Sequence, residues 1–229
     1  MKIKAAVAVP TKENRLSELE QFLTQVSADL YLFPEGFLDS ALLEEAQEII
    51  RKHGSYVITG FKELSGNTKH QALVIDNGKI TGCYTKCILA KDEQKKGRTP
   101  GEKIFCLDTR FGKVGIPICY EIHFPEVARV LREENPVLLF NPIGSGMFHE
   151  LQFEQWNAIA KARAIENEVY VLGCSHFNGV FPIAYAYDPD GKCLLQKQQE
   201  HGIYVVEIDT ERSFERIIGY WEDRCPELF

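Results

Sequence analysis

The chain has 229 residues, 45% hydrophobic and 26% charged, which is the balance of an ordinary soluble globular protein with enough length for one full core. A net charge of −7, with Lys95, Lys96 and Arg98 as the densest basic stretch, argues against nucleic acid as a partner, because phosphate binding needs a positive field. Seven cysteines without a C-x-x-C pair fit reduced thiols in the cytoplasm better than a disulfide framework or a zinc site, and no apolar run approaches the ~20 residues of a membrane span.

The N-terminus has the look of a secretory signal, but its apolar run is short and Pro10 to Asn14 offer no small-residue cleavage site, so residues 2–9 read as a strand. Thr11 or Asn14 can start a helix with Leu16, Leu19, Leu23 and Val26 as its apolar stripe. Leu30 to Phe33 forms a buried strand ended by Pro34-Glu35-Gly36. A second helix, capped by Asp39 or Ser40, turns Leu42, Ala46 and Ile49 inward and stops at Gly54. After a strand over 56–59, two strands within 71–87 are joined by Asn77-Gly78, a strong hairpin signal. Residues 90–102 are polar and turn-rich, a length of loop that compact domains usually reserve for function.

The stretch 113–119 alternates Val114, Ile116 and Ile118 with Gly115, Pro117 and Cys119, so it predicts a short buried strand that delivers a thiol at its end. From Phe124 the pattern is helical, with Val127, Val130 and Leu131 on the inner side. Buried strands follow over 137–140, 169–174, 183–187 and 203–208. Between the first two of these lies a long helix over 151–165 with Trp156, Ile159, Ala160 and Ala164 at core spacing. Asp188-Pro-Asp-Gly191 is a tight turn. Residues 221–229 lack periodicity and are expected to lie over a surface. Strand and helix alternate in both halves, and several strands are apolar on both sides and need cover on both faces. The expectation is an α/β protein, a single domain over residues 1–229 built as a four-layer α-β-β-α sandwich.

Glu35, Lys86 and Cys119 all fall at strand ends. Each alone has a bland explanation: a solvated loop carboxylate, a surface charge, a small buried hydrophobe. Together they supply a base, a cation and a nucleophile, which is what thiol-based acyl transfer needs. The junction of strand and helix at Cys119 also matches the carboxyl edge of an α/β sheet, where ligands collect.

Phe33-Pro-Glu35-Gly-Phe37, Tyr84-Thr-Lys86-Cys-Ile-Leu89 and Ile118-Cys119-Tyr-Glu-Ile-His-Phe-Pro-Glu126 resemble, in order, the glutamate, lysine and cysteine motifs of the nitrilase, or carbon–nitrogen hydrolase, superfamily. Thr99-Pro-Gly101, Ala162 to Asn167, Asp188 to Gly191 and Asp223 to Phe229 add supporting matches, so the resemblance spans nearly the whole chain. It implies the four-layer sandwich, a Glu–Lys–Cys triad, no metal or other cofactor, and a homodimer or higher homo-oligomer. Residue by residue it makes Glu35 the base, Cys119 the nucleophile and Lys86 an oxyanion donor together with the backbone N–H of Tyr120. Glu93 matches a second glutamate that many members carry. Tyr120, Glu121, His123 and Asn141 are the candidates for contact with substrate, and the implied partner is a small-molecule amide.

The chain departs from the pattern at Ile88, where members often have histidine, and at His123, where hydrolytic members often have arginine. Ile-Cys-Tyr-Glu also occurs in membrane-bound N-acyltransferases of the family. Alternatives to amide hydrolysis are therefore nitrile or N-carbamoyl hydrolysis, acyl transfer, or a catalytically silent binding protein. A Cys119–His123 pair is the rival mechanism. His53, His70, His149 and His201 read as solvated side chains, Arg163 and Glu166 as a structural ion pair, and His123 or Lys91 as possible partners of a substrate charge. The helix over 151–165 and the aromatic tail, Tyr220, Trp221 and Phe229, are the expected sources of a subunit contact.

Overall fold

The structure is a computed structural model that describes residues 1–65, 68–179, 181–211 and 219–228. Two six-stranded sheets lie face to face. In one the order is β12-β1-β2-β3-β4-β5, from Gly202–Asp209, Lys2–Val9, Leu30–Asp39, Tyr56–Lys62, His70–Asp76 and Lys79–Thr85. In the other it is β11-β10-β9-β8-β7-β6, from Cys193–Gln198, Ile183–Tyr187, Tyr170–Ser175, Leu138–Ile143, Gly112–Gly115 and Leu107–Thr109. Helices α1 (Arg15–Gln25) and α2 (Leu43–Lys52) cover the outside of the first sheet; α4 (Pro125–Glu133) and α5 (Glu150–Asn167) cover the second. A short helix α3 (Lys91–Lys95) lies in the loop after β5.

Strand periodicity explains the layers. In β1, Ile3, Ala5, Val7 and Val9 enter the core between the sheets while Ala6 and Ala8 pack against Leu19 and Phe22 of α1's layer. In β8, Leu138 and Phe140 face the other sheet and Leu139 and Ile143 face α4 and α5. This is the four-layer α-β-β-α sandwich expected from strands apolar on both faces. No helix among the described residues is long and apolar enough to cross a membrane.

Several local expectations are corrected. β2 does not stop at Pro34; it continues to Asp39 through a bulge in which residues 34–37 lie opposite Gly60 alone on β3. Gly36 takes φ +66, and a Cβ at Gly60 would stand 2.3 Å from Glu35 Cα, so the bulge needs glycine on both strands. The strand expected over 113–119 is β7 and ends at Gly115, because Pro117 has no N–H for a ladder and Cys119 opens a short 3₁₀ turn, Cys119–His123. In α2 Ala46 and Ile50 are fully buried while Leu42, just before the helix, and Ile49 pack partly buried against the same core, and Asp39 caps no helix: its side chain accepts from Ala41 N. In α4 Ala128 joins Val127 and Leu131 inside, leaving Val130 45% exposed. Strands β6 and β11 were not expected; β11 is an edge strand whose burial alternates too weakly to read. Trp221 lies under three guanidinium groups, with Arg224, Arg132 and Arg129 at 3.5, 4.7 and 5.9 Å from its ring centre, while Phe229 falls outside the described residues.

Candidate active site

The bulge in β2 turns Glu35 off the ladder and into the space beyond the strand ends. His176, just after β9, holds the bulge: its Nε2 lies 3.0 Å from the Glu35 carbonyl oxygen, and burial pushes its pKa down to about 4, so it stays neutral there. Lys86 follows β5. Its backbone N–H donates to His70 O and its carbonyl accepts from Gly101 N, so the Thr99-Pro-Gly101 stretch locks the lysine segment in place.

The Lys86 ammonium lies 3.0 Å from Glu35 Oε1 and 2.7 Å from Glu93 Oε1. His70 Nδ1 lies 3.0 Å from the same Glu35 oxygen and 3.8 Å from Glu93 Oε1. Burial pushes the Glu35 carboxyl up, but the Lys86 and His70 charges and hydrogen bonds outweigh it and hold it at about 2. Burial likewise favours neutral Lys86, and Glu35, Cys119 and Glu93 overcome it, so the lysine is held protonated. His70 was expected to be a solvated turn residue. Instead it is half-buried against the carboxylate, because β4 begins there in register beside Lys62 of β3. The three donors Glu35, His70 and Glu93 are close enough to hold a metal ion, but the Lys86 ammonium already occupies the place of a cation among them.

Cys119 takes φ +50, a left-handed conformation that costs of order 1–3 kcal/mol outside glycine and persists only when its surroundings enforce it. Two buried side chains do so. The Glu121 carboxylate accepts from the N–H groups of Ile118, Cys87 and Ile88 at 2.8, 2.7 and 3.0 Å and from the Tyr84 hydroxyl at 3.1 Å, which ties the cysteine turn to the lysine segment. Asn141 Nδ2 donates to the carbonyls of Pro117 and Cys119, while its Oδ1 accepts from Trp156 Nε1 and Tyr185 OH. Both had been expected to contact substrate. With no exposed surface and every polar atom engaged inside the protein, they hold the Cys119 turn in place.

Burial raises the Cys119 thiol, the Glu35 charge raises it further, and Lys86 and the Gly144 N–H oppose both; the balance lies at about 12. The resting pair is therefore a thiol beside a carboxylate. Tyr120 is 40% exposed next to the thiol, with its ring against His123 and Phe124. His123 packs edge-on against Trp156 at 4.4 Å, and burial lowers its pKa. Arg163 pairs with Glu166 at 2.8 Å, as expected, and also donates to the carbonyls of Ile122 and His123, clamping the end of the turn to α5.

His70 and His176 were missed. One signal was available: both flank strands at the edge that carries Glu35 and Lys86.

Comparison with known proteins gives one family match, to the carbon-nitrogen hydrolase model over residues 15–215. An omega-amidase of Saccharomyces cerevisiae is 30% identical over 143 residues, 57% of this chain and 47% of the yeast protein, so the chain spans about half the length of that relative. A carbon-nitrogen hydrolase of Helicobacter pylori G27 superposes with a TM-score of 0.85 at 21% identity, covering 98% of this chain and 96% of that one. A glutamate-to-glutamine variant of the amidase from Nesterenkonia sp. AN1, carrying the acetamide moiety of fluoroacetamide on its active-site cysteine, superposes at 0.81 with 20% identity over 99% of this chain and 95% of that one.

Proposed function

The chain belongs to the carbon–nitrogen hydrolase family, and on that premise we propose that it hydrolyses the C–N bond of a small amide through a thioester on Cys119. The observation that carries this reading is the Glu35 carboxylate, kept ionised by Lys86 and His70 in a buried site beside an un-ionised thiol. As Cys119 Sγ attacks the carbonyl carbon, its proton passes to Glu35; a base already charged and desolvated accepts it without a solvent shell to rearrange. The oxygen of the tetrahedral intermediate takes its charge against the Lys86 ammonium and the backbone N–H of Tyr120. The C–N bond then breaks, and Glu35 returns the proton to the departing ammonia or amine. Water adds to the thioester with Glu35 again as base, and release of the carboxylic acid restores the thiol. Glu93 holds Lys86 from the far side, so the lysine keeps its aim when Glu35 becomes neutral. The adduct on the cysteine of the Nesterenkonia amidase variant supports a thiol nucleophile at the equivalent place in this fold.

Seven free cysteines support a reducing, cytoplasmic setting, and Phe148 and Leu151, 71% and 58% exposed at the start of α5, support self-association through that helix. The test of the reaction is a panel of small amides, nitriles and N-carbamoyl compounds assayed for ammonia, with intact mass for an adduct on Cys119. Amides are expected to turn over, and Cys119→Ser to lose several orders of magnitude in rate without unfolding. Turnover restricted to nitriles would move the chain to nitrile hydrolysis. Ammonia from none, with Cys119 inert to iodoacetamide in the folded protein, would leave a binding protein of this fold.

A further inference from the structure

Above Glu35 the site opens into a cavity of about 340 Å³, lined by Lys12, Arg15, Asp39 and Lys62 as well as by Glu35 and Gly144. A water molecule takes about 30 Å³ of liquid volume, so this is room for a substrate of roughly ten non-hydrogen atoms. The charges on its wall do not cancel. Glu35 is answered by Lys86 and His70, and Asp39 by Arg15 at 2.9 Å. Among the described residues, Lys12 and Lys62 have no ion pair and no hydrogen bond engages either ammonium. They come from different parts of the chain, one just after β1 and the other at the end of β3, and neither lies in the glutamate, lysine or cysteine motif.

Like charges gathered on one small wall repel each other. Burial pulls the Lys12 pKa down, Glu35 opposes this, and Lys62 and Arg15 pull it down further. Such an arrangement costs stability unless something negative enters, and a concave wall of one sign concentrates ligands of the other. We infer that Lys12 and Lys62 form the subsite for a carboxylate on the substrate, so that the preferred amide carries an anionic group on its acyl portion, away from the bond attacked by Cys119. Two ammonium groups bind as point charges without the planar fork of arginine, which suits a carboxylate approached from two sides. The inference rests on the amidase reading for the identity of the reacting group but not for the subsite itself.

The test compares succinamate, which bears a carboxylate, with butanamide, its neutral counterpart, in the wild-type protein and the Lys12→Met/Lys62→Met double variant. Wild type is expected to favour succinamate at least tenfold in kcat/KM, with the difference in KM and diminished by added salt. The double variant is expected to lose at least tenfold of that ratio. A ratio equal in the two proteins overturns the subsite while leaving the amidase reading intact. If neither amide is hydrolysed, the amidase reading fails and binding of succinate, measured by calorimetry, decides the subsite. Binding to wild type that weakens tenfold or more in a variant of unchanged Tm supports it; no binding, or equal binding, overturns it.

Discussion

Two buried glutamates flank Cys119, and the protein treats them in opposite ways. Glu35 is answered by the Lys86 ammonium and the His70 ring, both 3.0 Å from the same oxygen. Glu121 is answered by dipoles alone: three backbone N–H groups and the Tyr84 hydroxyl. Burial raises both. At Glu35 the cations win and the carboxyl falls to about 2; at Glu121 the hydrogen bonds reduce the shift without reversing it. A charge-paired carboxylate can change protonation during a reaction because its partner holds the geometry, whereas a carboxylate that accepts from fixed backbone donors holds the backbone itself. The first arrangement suits the proton transfer proposed for Glu35, and the second suits rigidity.

The largest expected effect comes from Glu35→Gln, which removes the proposed base and leaves the shape. Turnover should fall about 10²–10⁴-fold. Alkylation of Cys119 by iodoacetamide near pH 7 should not slow, because the Glu35 charge, after burial, is the largest influence that pushes the thiol up. A parallel fall in alkylation and turnover would mean that Glu35 maintains the site rather than accepting its proton.

Next is Gly144→Ala, which touches only the charge-paired glutamate. A Cβ there would stand 2.6 Å from Glu35 Oε2, and the carboxylate cannot retreat without giving up Lys86 or His70. Misplacement of a catalytic group by about 1 Å costs about 10²-fold, so kcat should fall by that order with Tm little changed. Unaltered kcat would show that the carboxylate moves freely.

Glu121→Gln is the smaller change in rate and the larger one in stability. The amide nitrogen of glutamine would face a backbone N–H that now donates to carboxylate, an unsatisfied buried contact worth about 1–3 kcal/mol in urea unfolding. The two glutamates also separate by the sign of their pH dependence. Glu35 has its folded pKa below the unfolded value, so its contribution is full above the usual carboxylate range and is lost as pH falls toward about 2. Glu121 has its folded pKa raised, so the folded chain takes up the proton more readily and its contribution grows as pH falls. Between about pH 7 and about pH 3, the stability gap between wild type and Glu35→Gln should narrow while the gap for Glu121→Gln widens. Parallel slopes would erase the distinction between the two sites.

Much of this arrangement was legible in local pattern. Alternation of apolar residues found β1 and both faces of β8, the Asn77-Gly78 turn takes φ +48 and +79 as a hairpin of its kind requires, and Gly54 ends α2 at φ +60. Glu35, Lys86 and Cys119 stood out by motif. The bulge at Glu35 was hidden because it depends on Gly60, a residue of the neighbouring strand. β11 was hidden because an exposed edge strand has no buried face to alternate with.

His70, His176, Glu121 and Asn141 mark the same boundary more sharply. Sequence by itself determined what depends on neighbours along the chain: element type, turn chemistry, the apolar faces, and the presence of a thiol, a carboxylate and an amine at strand ends. Only the tertiary structure decided which carboxylate meets a cation and which meets backbone dipoles. Electrostatic interaction depends on distance through space; Glu35 and Lys86 lie 51 residues apart in sequence and 3.0 Å apart in the fold, and at that range a single contact decides whether a buried acid is charged.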